Sequence, residues 1–222
     1  MKKNLLLAQF LVIFFFLAVP PLLKNSEAQK SVTIRFGLTS LLSLAIAFPI
    51  LQEKKRRIIS APEKKDARTK AIMTALSFFA LLLSALIIIF FARLFSSETK
   101  SAAPQIPKGV FEWLNFAAGT LLAALYEEVI YRVFLPGAAE TLFVKDKKRE
   151  RFHLLIIEGA VIALFALSHR YLGIPAVLNA LAGGAILRVC YKKTGSIIPS
   201  LASHSLYNLS AIIFTAIALS LS

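Results

Sequence analysis

The residues with the most chemistry to offer lie in the second half of the 222-residue chain, each set inside an otherwise apolar run. Glu127 and Glu128 are adjacent, with Arg132 following. Phe165 and His169 are four residues apart, and so are His204 and Asn208. A charged group near the middle of a bilayer costs about 2.5 to 3.5 kcal/mol on insertion scales, so paired glutamates in an apolar helix need a reason to be there. Neighbouring helical positions point about 100° apart, which gives the two carboxylates different orientations and different tasks. Glu128 shares a helical face with Arg132. An ion pair between them would neutralise both and leave Glu127 to face a polar cavity.

A glutamate, two histidines and an asparagine in one cavity supply the parts for peptide hydrolysis. In apolar surroundings Glu127 is a candidate general base for a water molecule, and His169 can help to hold or deprotonate that water. Side-chain donors on His204 and Asn208 can stabilise the oxyanion. A blander role is open to the third cluster, where Ser203, His204, Ser205 and Asn208 can serve as interhelical hydrogen-bond partners. Phe165 alone reads as core packing.

These residues need helices that cross a bilayer to position them. A mean hydropathy of +0.71 and 57% hydrophobic residues exceed what a water-soluble domain of this size needs for its core. Several apolar runs reach the roughly 20 residues that span about 30 Å of hydrocarbon. The expectation is an all-α, polytopic transmembrane helical bundle of about seven spans. They lie near residues 4–23, 32–51, 71–95, 110–136, 152–169, 174–191 and 197–221. The first reads as an anchor helix in preference to a cleaved signal peptide. Pro136 and Gly137 should kink or end the fourth, leaving residues up to Val144 at the interface. The short connection at 170–173 makes the fifth and sixth spans antiparallel neighbours. Small residues within 180–184 allow close packing there.

The net charge of +14 comes from Lys and Arg in short loops and not from a continuous basic face, so topology explains it better than nucleic acid does. Lys2, Lys3, the loop 54–70, the loop 145–151 and Lys192 with Lys193 fall on one side of a seven-span arrangement. That places the N-terminus in the cytoplasm of a cell-membrane protein. Glu158 sits near the cytoplasmic end of its span, and Arg188 and Arg93 near helix ends where long side chains snorkel. With His153 beside the basic loop, none of these is assigned to chemistry. The single cysteine, Cys190, cannot form an intramolecular disulfide and reads as a core residue.

In order and spacing, Glu127-Glu128-x-x-x-Arg132, Phe165-x-x-x-His169 and His204-x-x-x-Asn208 resemble the three motifs of the CPBP family of intramembrane proteases, also called the Abi family. It includes CAAX prenyl endopeptidases and bacteriocin-linked bacterial proteins. The resemblance covers about residues 110–222, a catalytic membrane core, while residues 1–109 are only generically similar. Thr194-Gly195-Ser196 also looks like the family. Tyr131 and Val133 depart from the phenylalanine and glycine that flank the motif arginine in many members. The resemblance implies Glu127 and His169 activating water, His204 and Asn208 on the oxyanion side, and Glu128, Arg132 and Phe165 in support. Its mechanistic rival is a zinc site built on Glu127, His169 and His204. The metal-free form is preferred, and no cofactor is firmly expected. Expected partners are membrane lipids and a peptide or protein substrate. Rival functions are a non-catalytic immunity or scaffold protein, and a small transporter using Glu127, Glu128 and His204 for protons. One difficulty accompanies every version. His169 lies at the end of its span, yet it must meet Glu127 and His204, which lie deeper in theirs.

Overall fold

The computed structural model describes residues 2–15, 19, 45, 50, 62–95, 109–144 and 150–220. Every regular element among them is helical: α1 (Lys2–Ile13), α2 (Ala67–Phe95), α3 (Val110–Glu127), a π-helix (Glu128–Phe134), α4 (Leu135–Phe143), α5 (Glu150–Leu167), a short 3-10 helix (Arg170–Leu172), α6 (Ile174–Thr194) and α7 (Ile197–Ser220). Helices α2 and α6, and α7 over Ile197–Phe214, are long and apolar enough to cross a membrane. At 1.5 Å per residue α2 is about 43 Å long, more than the hydrocarbon thickness. Helix α5 is apolar apart from Glu150, Arg151, His153 and Glu158. The span expected near 32–51 falls almost wholly outside the described residues, as does the end of the first, so a count of seven is not established.

Just before α2, the Asp66 carboxylate accepts a hydrogen bond from the Thr69 side chain, which holds its carboxyl below the usual range. Its negative charge lies where the first-turn N–H groups of α2 emerge. Little of α2 is buried beyond Ser77 and Leu81; Leu76, Phe79, Leu83 and Phe90 are exposed, as expected of a surface that faces lipid. Its inner side packs on α6 and α7. A Cβ on Gly183 would come within 3.3 Å of Leu81, and one on Gly184 within 3.2 Å of Phe165, so the glycine pair brings α6 close to both α2 and α5.

The core gathers around the π-helix, all seven residues of which are buried. The helix does not end at Pro136; its pitch changes there instead. The Leu135 N–H bonds five residues back to the Ile130 carbonyl, and the chain then continues as α4 with Pro136 in its first turn. Proline there needs no intrahelical donor, and its ring would clash with the preceding turn of a regular α-helix. The wider turn relieves that conflict.

The turn between α6 and α7 takes Gly195 to φ 62°, a conformation natural to glycine. The segment before α2 lies directly over it. Lys65 N–H donates to the Thr194 carbonyl at 3.0 Å, and a Cβ on Gly195 would collide with the Glu63 carbonyl.

Candidate active site

The three motifs meet. His204, in the second turn of α7, places its two ring nitrogens against two carboxylates. Nδ1 is 3.0 Å from Glu128 Oε1 and Nε2 is 3.6 Å from Glu127 Oε2. The roughly 100° between adjacent helical positions, expected to separate these carboxylates, lets them straddle one imidazole. They differ in access: the Glu127 side chain is 24% exposed and that of Glu128 is fully buried. Arg132 Nε lies 3.5 Å from Glu128 Oε1, so the expected pair of these two residues is present. Ser200 on α7 turns its hydroxyl back to the Ile197 carbonyl at 3.1 Å. Among the described residues, Glu128 Oε2 and Arg132 Nε and Nη2 find no hydrogen-bond partner.

Phe165 does more than fill the core. The Arg132 guanidinium carbon stands 4.2 Å above its ring centroid, while the Tyr131 and His169 rings meet it edge-on at 5.1 and 4.9 Å. Tyr131, a departure from the common flanking residue, thus packs against the second motif. At the end of α5, His169 Nδ1 is 3.0 Å from the Phe165 carbonyl. Nδ1 also lies 3.2 Å from Ser168 Oγ; a carbonyl can only accept, so in the neutral tautomer that uses the Phe165 contact Nδ1 carries the proton and Nε2 is the acceptor.

A cavity of about 160 Å³ lies between α5, α6 and α7. Its polar lining is His169, Asn179, His204, Tyr207 and Asn208, and its apolar lining includes Leu81, Ala180 and Leu187. Glu127 is not among the lining residues and meets the cavity through His204. His169 and His204 reach the same cavity although one lies past a helix end and the other lies within a helix. His169 lies just past the end of α5, and Leu172 and Ala176, around the start of α6, line the same space as His204 and Asn208 from α7. In the connection itself Arg170, Leu172 and Gly173 are exposed, while Leu172 also borders the cavity.

Two polar pairs went unnoticed in the sequence. Asn179 Nδ2 donates to the Tyr207 hydroxyl at 2.8 Å across the cavity. Tyr207 and Asn208 are adjacent on α7, and Tyr207 lies three residues after His204, a spacing that could have marked it. Arg188, expected to snorkel, is instead buried and holds Glu158 with Nε to Oε2 at 2.5 Å and Nη2 to Oε1 at 2.7 Å. The short connection between two antiparallel helices was the available signal. Ser203, by contrast, sits between helices: its one hydroxyl proton is shared between the Pro199 carbonyl of its own helix at 2.8 Å and the Thr74 carbonyl of α2 at 2.9 Å.

Among the described residues, no three His, Cys, Asp or Glu side chains converge as a group that could hold a metal ion. Glu127, His169 and His204 are therefore not arranged as a zinc-ligand set.

Neither a curated protein nor a solved structure matches the chain. Residues 109–210 match the family model described as "Type II CAAX prenyl endopeptidase Rce1-like". That segment carries all three motifs, so the match falls on the residues whose order and spacing resemble the CPBP family.

Proposed function

We propose that the protein is an intramembrane endopeptidase that hydrolyses a peptide bond in a membrane-associated protein or peptide. The observation that carries this reading is His204 between the two carboxylates, on the wall of a cavity it shares with His169 and Asn208. The family match supports it, because that family is one of endopeptidases.

Glu127 is the base, since it is the carboxylate with access. It takes a proton from water as the water oxygen attacks the scissile carbonyl carbon, then gives that proton to the leaving nitrogen. His169 orients the water through its Nε2 acceptor, in the tautomer that uses the Phe165 contact. Asn208 supplies an amide donor to the developing oxyanion. His204 adds a second donor when it carries protons on both nitrogens, and the flanking carboxylates offset the positive charge of that form. Glu128 stays sealed beneath the ring, held by Arg132, and orients it. No step is routed through a metal, because the residues present do not form a ligand set for one.

The test is cleavage of a quenched-fluorescence peptide library by purified protein in detergent. Glu127→Gln is expected to lower kcat at least about 1,000-fold while leaving the helical circular dichroism spectrum and thermal midpoint near wild type. This magnitude is of the order seen when a positioned acid–base group is lost. Turnover by the Gln variant at a wild-type rate would overturn the assignment of the base.

A further inference from the structure

A guanidinium and a carboxylate inside an apolar helix pair call for the same scrutiny as the motif residues. Arg188 on α6 and Glu158 on α5 are joined by two parallel hydrogen bonds, and Lys192 adds a contact to Glu158 Oε1 at 3.2 Å. Well-packed apolar residues of the same volume would often serve stability as well or better, so stability alone is a weak reason for such a pair. The remaining donor of the fork shows a second task. Arg188 Nη1 donates to the main-chain carbonyl of Arg132, in the middle of the π-helix. In a regular α-helical turn that carbonyl would be served by the N–H of residue 136, which here is a proline and has none.

We infer that Arg188, anchored by Glu158, is a positioning residue for the proposed reaction: it fixes the Arg132 carbonyl and thereby the pitch at which the π-helix presents Glu127 and Glu128 to His204. Glu158 fixes the plane of the guanidinium, and Arg188 transmits that orientation to the backbone. A lysine at 188 keeps the charge but loses the fork, so it cannot hold Glu158 bidentately and reach the carbonyl together. This inference rests on the endopeptidase reading, because its effect is on the geometry of that reaction.

The experiment compares wild type, Arg188→Lys, Pro136→Ala and the double variant. It measures kcat and KM on one peptide from the library, and backbone hydrogen exchange over residues 128–137 by mass spectrometry. Arg188→Lys is expected to lower kcat about 10- to 100-fold with KM within about twofold, the scale at which misplacement of around 1 Å is felt. Exchange in the π-helix should accelerate in the same variant. Alanine at 136 restores an N–H beside the orphaned carbonyl, so the double variant should recover part of the lost kcat, whereas Pro136→Ala alone should stay within about threefold of wild type. Wild-type kcat in Arg188→Lys, or strictly additive losses in the double variant, overturns the positioning role. Loss of activity that merely follows loss of folded protein, with unchanged exchange, does so as well. Failure of the endopeptidase reading looks different: wild type and Glu127→Gln then release equal, background amounts of product, and the positioning role falls with it.

Discussion

Two polar clusters flank the same π-helix and are built on opposite terms. On the α5–α6 side, the Glu158–Arg188 pair is matched oxygen to nitrogen, and the spare nitrogen goes to a backbone carbonyl. On the α7 side, Glu128, Arg132 and His204 are packed as tightly but hydrogen-bonded less completely. The Arg132–Glu128 separation is 3.5 Å, and three polar atoms of these two residues have no partner among the described residues. Buried polar groups are normally satisfied, and departures gather where chemistry happens. The fully matched cluster thus belongs to the scaffold, and the incompletely satisfied one is what that scaffold holds in place.

This contrast can be broken by experiment. Glu128→Ala should have the largest effect, because it strands the buried Arg132 guanidinium. A loss of about 3 to 5 kcal/mol is expected, read from thermal unfolding in detergent. If Glu158→Ala costs as much or more, the assignment of scaffold and site is reversed. Next comes Phe165→Leu, which keeps much of the apolar volume but removes the ring beneath Arg132 and beside His169. About 1 to 2 kcal/mol should be lost with the cation–π contact, together with a fall in kcat as the His169 ring loosens. An unchanged kcat would return Phe165 to simple packing. The smallest effect is expected of Lys192→Gln. The lysine is 53% exposed, so its contact with Glu158 is screened and contributes about 0.2 to 1 kcal/mol, fading as salt is raised. A loss as large as that of Glu158→Ala would show that the bidentate pair depends on the second cation.

The sequence carried the site further than it carried the fold. Glu127, Glu128 and Arg132 stood out because charge is costly in an apolar run, and the four-residue spacings of Phe165 with His169 and His204 with Asn208 put each pair on one helical face. Their convergence was legible as a requirement. Convergence on His204 was not, because periodicity within one helix does not say what a neighbouring helix inserts between two of its residues. Pro136 was legible as a disturbance, but its consequence depended on Arg188, 52 positions away in the chain. The Glu158–Arg188 pair escaped for the opposite reason. Each residue taken singly has a bland explanation near a helix end, and only the antiparallel register of α5 and α6 turns them into partners. Tyr207 and Asn179 hid likewise, as ordinary amphipathic residues in apolar helices. The span count rested on loops and segments that lie largely outside the described residues.

A helix of constant pitch offers each neighbour the same stripe along its whole length. The π-helix inserts a wider turn into the rod that runs from Val110 to Phe143, so the angular register set in α3 is not the one kept in α4. The first stretch lies against α7, whereas the last turns its apolar side to α1 and α5, with Phe143 meeting Phe10 edge-on at 5.7 Å. One continuous run of helix therefore serves two sets of neighbours, and at the phase change Glu128 and Arg132 are buried beside the core residues Val129, Ile130, Tyr131, Val133 and Phe134. Deleting one residue within 128–134 would do more than shorten the helix. It would rotate everything after it by roughly a quarter-turn, separating the N-terminal helix from its seat while leaving composition and hydropathy almost unaltered.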